Sequence, residues 1–468
     1  MRIISILLVL CTLLSLAACG TVEQPPVSTG DPADITVDDT TAEDTVPDTT
    51  EPETEPETEP ETEVRLTMEE KLVISLLDAL EKEITVQEYP EFDSAAHAGV
   101  KAITYTGADI GDNKTKVFAY IGFPEGASAD NPVPAVVLVH GSQAGIPYAQ
   151  WVKIWNDRGY AAISLSTSNF FPLNNVAGDK EYNEELEHWS RELYGPFLEE
   201  GYMTAPHNDA MNDSTKPFPM QWMYNALTAV IHANNLLRAD ERIDSEKIGI
   251  TGVSWGGVVT SLAIGYDNRF AFAIPVYGSG YLTEAHTGFA DLFSKGRNPQ
   301  YWLAEKRFQY ADMPILWLCM NNDAPFSLNS NVKSYLDTLP NNEDTRLSAI
   351  SGWGHSHGST WNRFDSFIFA DSVCKDGAKM PALLMKDGVP VVVNPSDVKI
   401  DSLKIYYLTE EFAYTDGKAP TWSTKRFKYN DGNYTVELPE GTKVYYYEIS
   451  YKIDGKVCYT TTEMITVE

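Results

Sequence analysis

Residues 247–257, KIGITGVSWGG, are the part of this sequence that says most about its fold. It begins with a short apolar run that is typical of a buried strand, and the following VVTSLAIG (258–265) can form a helix. Between them lies a Gly-x-Ser-x-Gly motif with Ser254 at its centre. A sharp strand–turn–helix elbow needs glycine on both sides of its serine, because the serine backbone is strained and no Cβ fits nearby. The stretch therefore predicts an α/β sheet with a serine nucleophile at position 254.

The sequence around this motif alternates strands and helices between residues 98 and 385. Continuous apolar runs such as PAVVLVHG (134–141) and MPILWLCMNND (313–323) alternate with amphipathic segments such as QWMYNALTAVIHANNLLRA (221–239). Apolar runs separated by helices predict a mostly parallel sheet with helices on both faces. Because ligands bind at the carboxyl ends of the strands in such sheets, the candidate catalytic residues should follow strands.

A serine nucleophile needs a base to take its proton and an acid to orient that base. The loop GWGHSHG (352–358) follows the last predicted strand of this region. We assign His355, the first histidine after the Gly-Trp-Gly turn, as the base, and His357 is the alternative. The acid should follow a strand that lies between the nucleophile and the histidine. Asp323 meets this condition, whereas Asp312 precedes the same strand.

An oxyanion needs preorganised N–H donors. One should be the backbone N–H of Trp255, directly after the nucleophile. The other should come from the turn HGSQAG (140–145), where we assign the Ser142 N–H and keep Gln143 as the alternative. His140 is predicted to brace this turn rather than to act as a base. The later His-x-His pair has no third metal ligand nearby, so no metal site is predicted.

Taken in order, HGSQAG, WVKIWNDRGYAAISL, KIGITGVSWGG, FAIPVYGSG, PILWLCMNND and GWGHSHG resemble the α/β-hydrolase superfamily over about residues 98–385. They look most like its acetyl-xylan-esterase and dienelactone-hydrolase-like branch, near the prolyl-oligopeptidase-type domains. The resemblance implies a serine carboxylesterase that forms an acyl-enzyme without a metal or organic cofactor. Ser254 would be the nucleophile, with Asp323 and His355 as its relay. The chain departs from acetyl-xylan esterases at Trp255, where they usually have glutamine, and it lacks the thiol nucleophile of dienelactone hydrolase.

The N-terminal sequence predicts export and a lipid anchor. One basic residue and an apolar stretch end in Leu16-Ala17-Ala18-Cys19-Gly20, which resembles the lipobox of a bacterial lipoprotein. We predict a lipoprotein signal peptide over residues 1–18 and lipidation at Cys19, which would anchor the protein outside the cytoplasm on the bacterial cell membrane. Residues 19–65 are predicted to be a disordered acidic tether, since residues 21–64 hold 15 Asp/Glu and no Lys/Arg.

The last part of the chain is different in character. Asp431-Gly432 and Asp454-Gly455 lie between alternating aromatic and β-branched runs, which is a strong hairpin signal. We predict an α/β-hydrolase catalytic domain over residues 66–385, followed by a small all-β, immunoglobulin-like sandwich over residues 386–468. The spacing of Thr67 and Glu70 predicts a capping box at the start of the first helix of the catalytic domain.

Charge narrows the range of partners. The chain has 35 basic and 67 acidic residues and a formal net charge of −32. This balance argues against nucleic acid as the main partner. The leading hypothesis is an ester hydrolase that acts on small-molecule or polysaccharide esters, with acetylated plant polysaccharide as one candidate. The alternatives are a serine peptidase of prolyl-oligopeptidase type and a non-catalytic surface binding lipoprotein. Two aromatic-rich insertions, 168–219 and 279–311, are predicted to govern substrate choice.

Overall fold

The computed structural model describes residues 66–142, 145–173, 188–429 and 434–467. The predicted signal peptide, Cys19 and the acidic tether lie outside these residues, as do Gln143 and the Asp431-Gly432 turn. Within the described ranges, no helix is long and apolar enough to cross a membrane.

The larger region is built on a nine-stranded sheet. Its strands are β1 (Val86–Glu88), β2 (Lys101–Ile110), β3 (Asn113–Gly122), β4 (Val133–Val139), β5 (Ala161–Leu165), β8 (Ile243–Val253), β9 (Phe272–Val276), β10 (Leu316–Met320) and β11 (Arg346–Ile350); β6 (Phe171–Pro172) and β7 (Trp189–Ser190) form a separate short ladder. The order in the sheet is β1-β2-β3-β5-β4-β8-β9-β10-β11. The pairs from β5 to β11 are parallel, and β1, β2 and β3 form an antiparallel edge that joins β5. The predicted mostly parallel sheet is confirmed.

Helices flank this sheet in two groups. They are α1 (Met68–Asp78), α2 (Ala149–Asn156), α3 (Trp222–Arg238), α4 (Trp255–Ala263), α5 (Phe289–Ser294), α6 (Asn298–Tyr301), α7 (Leu328–Thr338), α8 (His357–Thr360) and α9 (Asp365–Cys374). The Trp155 ring of α2 packs on Phe367 of α9 at 4.9 Å, and Trp222 of α3 meets Trp255 of α4 at 5.3 Å. Both α4 and α9 pack on β8 and β9. The sheet therefore lies between two helical layers, which is the arrangement of an α/β-hydrolase fold.

The first helix begins at the predicted capping box. The Thr67 hydroxyl accepts the Glu70 N–H at 3.2 Å, and the Glu70 carboxylate accepts the Thr67 N–H at 2.7 Å. The α-helix ends at Asp78, and Ala79–Glu81 continue as a 3₁₀ turn.

The C-terminal region is all-β, as predicted. The strands are β12 (Ala382–Lys386), β13 (Val389–Val393), β14 (Ile400–Leu408), β15 (Ser423–Phe427), β16 (Val444–Ile453), β17 (Lys456–Thr461) and β18 (Ile465–Thr466). The first two form a hairpin, and the others form an antiparallel sheet in the order β15-β14-β16-β17, with β18 paired to β16. Asp454 and Gly455 connect β16 to β17 with φ angles of 51° and 73°, which fit a two-residue hairpin turn. The immunoglobulin-like topology stays a prediction.

This β region packs directly on the larger sheet. The Thr461 hydroxyl of β17 donates to the Leu347 carbonyl of β11 at 3.3 Å, and the Tyr459 N–H donates to the Asp365 carboxylate at 3.0 Å. The β12–β13 hairpin crosses the predicted domain boundary between residues 385 and 386. Both regions fall within one compact unit.

Candidate active site

Ser254 lies on a strained turn between β8 and α4. Its backbone has φ 58° and ψ −118°, a combination that L-residues rarely adopt. The glycines on both sides are required by close packing. A Cβ on Gly252 would lie 2.1 Å from the Gly256 carbonyl oxygen, and a Cβ on Gly256 would lie 2.0 Å from the Val139 carbonyl oxygen. The sequence therefore folds here into the elbow that the motif predicts, with Ser254 at the carboxyl end of β8.

The candidate acid and base meet beyond the ends of β10 and β11. The His355 Nδ1 and the Asp323 Oδ2 are 2.8 Å apart, so His355 donates its Nδ1–H to this carboxylate. The Asp323 side chain is only 2% exposed, whereas that of His355 is 29% exposed. The imidazole is stacked against Tyr277 at 4.7 Å and Phe326 at 5.9 Å between ring centroids. With Nδ1 committed to Asp323, the Nε2 of His355 is the nitrogen that can accept a proton.

Ser254 and His355 line the same cavity of about 780 Å³. Within the described ranges, the Ser254 hydroxyl forms no hydrogen bond to His355. Catalytic hydrogen bonds are often long in ligand-free structures and shorten when substrate binds. The structure therefore places Ser254 and His355 at one cavity and joins His355 directly to Asp323.

The alternative base, His357, is committed elsewhere. Its Nε2 accepts the Gly141 N–H at 3.0 Å, and its Nδ1 is 3.4 Å from the Tyr148 hydroxyl. An imidazole nitrogen that accepts an N–H carries no proton of its own, and its lone pair is already used. His357 thus supports the turn beside Ser254, since a Cβ on Gly141 would lie 2.6 Å from the His357 Nε2 and 2.9 Å from the Ser254 Cβ.

The candidate oxyanion donors lie at two chain turns beside the nucleophile. Trp255 is the first residue of α4, so its N–H has no acceptor within the helix. Ser142 lines the cavity and has a left-handed backbone with φ 61°. The other candidate, Gln143, lies outside the described residues.

His140 has the environment of a structural residue, as predicted for it. Its side chain is buried, and its Nδ1 is 2.9 Å from the Gly141 carbonyl oxygen. Burial lowers the pKa of His140 to about 4, so its imidazole is neutral near pH 7. It therefore carries no charge toward the cavity.

Sequence reasoning missed two groups of residues near the site. The first is the pair Gly141 and His357. Their hydrogen bond joins residues that are 216 positions apart in the chain, so no local pattern indicates it. The second is Tyr277, whose hydroxyl donates to the Gly354 carbonyl at 2.8 Å while its ring stacks on His355. Tyr277 directly follows β9, and this place at the carboxyl end of a strand is a signal that could have indicated its role near the site.

Comparisons with known proteins match parts of this chain. The model of the prolyl oligopeptidase family matches residues 218–323, from the segment before α3 to the candidate acid. A curated relative, probable dipeptidyl-peptidase 5 of Emericella nidulans, is 22% identical over 231 residues. That alignment covers 48% of this chain and only 26% of the relative, so the chain matches about a quarter of its length.

Solved structures similar to this chain have low sequence identity. Acetyl xylan esterase from Paenibacillus is 15% identical with a TM-score of 0.44, over 67% of this chain and 96% of that one. Acylaminoacyl peptidase from Pyrococcus horikoshii is 17% identical with a TM-score of 0.39, over 63% of this chain and 42% of that one. The partial family match, together with the observed sheet and its helical layers, supports a hydrolase of the α/β-hydrolase superfamily.

Proposed function

We propose that this chain is a serine hydrolase that cleaves carboxylic esters through an acyl-enzyme. The observation that carries the proposal is the strained Ser254 elbow, which faces the same cavity as a histidine bonded to a buried carboxylate. A structural serine would gain nothing from this backbone, because strain persists only where the surrounding structure enforces it.

The mechanism follows from these positions. The Nε2 of His355 takes the proton of Ser254 as the Oγ attacks the acyl carbon, and Asp323 stabilises the imidazolium that forms. The N–H groups of Trp255 and Ser142 stabilise the oxyanion. His355 then returns the proton to the leaving alcohol, and the acyl-enzyme is hydrolysed by water through the same steps.

The cavity lining favours an uncharged, hydroxyl-rich substrate. Besides the candidate catalytic residues, its described lining includes Ser356, Ser359 and Asn362, and it includes no carboxylate, lysine or arginine. Hydroxyl and amide groups can exchange hydrogen bonds with sugar hydroxyls. These residues support acetylated plant polysaccharide or a related sugar ester as the substrate class.

The test is hydrolysis of p-nitrophenyl acetate and butyrate by the full chain beside Ser254→Ala. We expect the turnover of Ser254→Ala to be lower than that of the unaltered chain by a factor of about 10³ or more. A fluorophosphonate probe should label the unaltered chain and should not label Ser254→Ala. Ser372→Ala is the matched control, because the Ser372 hydroxyl donates to the Phe369 carbonyl on α9 and does not line the cavity. Equal turnover and labelling in all three proteins would refute the proposal. No turnover and no labelling of the unaltered chain would instead favour a non-catalytic binding lipoprotein.

A serine peptidase is the second candidate, and the match of residues 218–323 to the prolyl oligopeptidase family favours it. Amide hydrolysis is the discriminating measurement. Turnover of short peptide p-nitroanilides at a rate comparable with the esters would replace the esterase by the peptidase. For the polysaccharide class, release of acetate from acetylated xylan at a higher kcat/KM than from p-nitrophenyl acetate would support it, and the reverse ratio would exclude it.

We also propose that lipidation of Cys19 anchors this hydrolase outside the cytoplasm. The support is the sequence Leu16-Ala17-Ala18-Cys19-Gly20 and the acidic segment after it. Metabolic labelling with a radioactive fatty acid should mark the unaltered chain and not Cys19→Ser. Equal labelling of both would refute the anchor without affecting the proposed chemistry.

A further inference from the structure

The loop that carries Asp323 is held by side chains of the C-terminal β region. The Tyr414 hydroxyl donates to the Asp323 carbonyl oxygen at 2.6 Å. The Trp422 indole Nε1–H donates to the Asn321 carbonyl oxygen at 3.1 Å. These bonds reach residues at both ends of the three-residue segment that directly follows β10.

A third hydrogen bond ties the side chain of the same segment. The Asn321 amide donates to the Tyr446 hydroxyl at 2.9 Å, and both residues are at most 3% exposed. Tyr446 lies on β16, the central strand of the C-terminal sheet. The Tyr446 ring packs against the Trp422 ring at 5.1 Å. The residue that accepts from Asn321 and the residue that donates to it therefore support each other.

The ring of Tyr414 is itself held on two sides. Phe412 meets it edge-on at 5.6 Å, and His286 stacks on it at 4.0 Å with an angle of 12° between the rings. His286 belongs to the segment between β9 and β10. Burial raises the pKa of the Tyr414 hydroxyl, so this hydroxyl remains a proton donor at neutral pH.

These hydrogen bonds hold a segment that lies between a strand and a helix of the main fold. Residues 321–323 lie after the last paired residue of β10 and before α7, so their carbonyl groups have no ladder or helix partner. Fixing a carbonyl fixes the peptide plane to which it belongs, since the peptide unit is planar. The fixed plane of the Asp323 carbonyl directly follows the Asp323 Cα, and the fixed plane of the Asn321 carbonyl lies one peptide unit before it, so together they restrict the direction in which the Asp323 carboxylate leaves the backbone. That carboxylate in turn orients His355.

We propose that Tyr414 and Trp422 are positioning residues of the active site, through which the C-terminal β region holds the catalytic acid in line with His355. The inference rests on the proposed function of Ser254, Asp323 and His355. Neither residue lines the cavity that holds Ser254 and His355, and each acts through the segment that carries Asp323. The β region is therefore part of the working enzyme rather than an appended module.

The experiment compares Tyr414→Phe with Tyr451→Phe in the full chain. The first variant removes only the hydroxyl that reaches Asp323. The second removes the hydroxyl of Tyr451 on β16, a more deeply buried tyrosine of the same β region whose hydroxyl is hydrogen-bonded to Thr460 at 2.8 Å. We expect Tyr414→Phe to lower kcat for p-nitrophenyl acetate about three- to tenfold, with KM unchanged, as one lost orienting hydrogen bond allows. Tyr451→Phe should leave kcat unchanged.

Two further readouts separate positioning from general structural damage. The low-field proton resonance of the hydrogen bond between His355 and Asp323 should broaden or move in Tyr414→Phe and stay in place in Tyr451→Phe. In an Asp323→Asn background, Tyr414→Phe should reduce kcat no further, because the group through which it acts is already gone. An equal fold-loss in both backgrounds would overturn the inference, and so would unchanged kcat and resonance in Tyr414→Phe.

Trp422→Phe, which removes the indole N–H and keeps an aromatic ring, is the second variant if Tyr414→Phe does not fold. The same outcomes are expected of it. Turnover retained in Ser254→Ala would instead show that the proposed function is wrong. An inactive Ser254→Ala combined with normal Tyr414→Phe and Trp422→Phe would overturn only the positioning inference.

Discussion

Replacing Ser254 with glycine should abolish activity and yet give a more stable protein than replacing it with alanine. Both substitutions remove the hydroxyl, but only alanine retains a Cβ on a backbone with φ 58° and ψ −118°. A non-glycine residue in such a sparsely populated region destabilises the fold by about 1–3 kcal/mol. Glycine adopts it without a steric penalty but loses about 0.5–1 kcal/mol more backbone entropy on folding. The difference should favour glycine by about 1 kcal/mol.

The measurement is equilibrium urea unfolding of Ser254→Gly and Ser254→Ala, with turnover measured on the same samples. Ala229→Gly in α3 is the control, because glycine in a regular helix should have the opposite effect and lower the free energy of unfolding by at least about 1 kcal/mol. A Ser254→Ala variant as stable as Ser254→Gly, or more stable, would show that the elbow is not strained. Turnover in either variant close to that of the unaltered chain would show that the Ser254 hydroxyl is not the nucleophile.

Three other results are expected. His357→Ala should lower the free energy of unfolding by about 1–3 kcal/mol in urea titrations, because it leaves the buried Gly141 N–H without its acceptor; an unchanged value would contradict this. Burial lowers the pKa of His232 to about 4, so between pH 6.5 and pH 4 the unfolded chain binds a proton that the folded chain does not. The free energy of unfolding measured in urea should therefore fall as the pH falls, by about 1.4 kcal/mol per pH unit from this residue. The variant His232→Gln should reduce this slope. Gly256→Ala should destabilise the fold by about 3 kcal/mol because its Cβ would meet backbone oxygens, whereas Gly288→Ala has open space and should lose nothing in the same titration.

The strands of the main sheet could be predicted because they are continuous apolar runs between helices. The run ending in Val253 and the run ending in Met320 both form central parallel strands with every residue at their carboxyl ends buried. The start of the β region was harder to predict. Ala382–Lys386 is a five-residue run, and periodicity alone does not distinguish such a strand from a buried helical segment. Its turn at Asp387-Gly388, with φ angles of 50° and 76°, is the signal that marks the hairpin.

The sequence marks the nucleophile through the backbone that it needs and the candidate base through the turn that precedes it. Ser254 requires its flanking glycines, and the sequence therefore shows a motif. His355 follows a Gly-Trp-Gly turn at the end of the last parallel strand. His357 has the same local signals, and only the packing against Gly141 and Tyr148 gives it a different role. Local pattern thus limited the choice to two histidines, and contacts far apart in the chain separate them.

Asp323 is marked least of all, because an acid needs only to follow a strand. Nothing in MPILWLCMNND fixes the direction of its carboxylate, since the loop after β10 has no ladder partner. The restraint comes from Tyr414 and Trp422, which lie 91 and 101 positions from the residues they bind. A long-range restraint leaves no local motif, so it could not be predicted from one sequence. Asp323 therefore has the weakest sequence signature of the three candidate catalytic residues, and its orientation depends on the C-terminal β region. Variants of Tyr414 and Trp422 test that dependence directly.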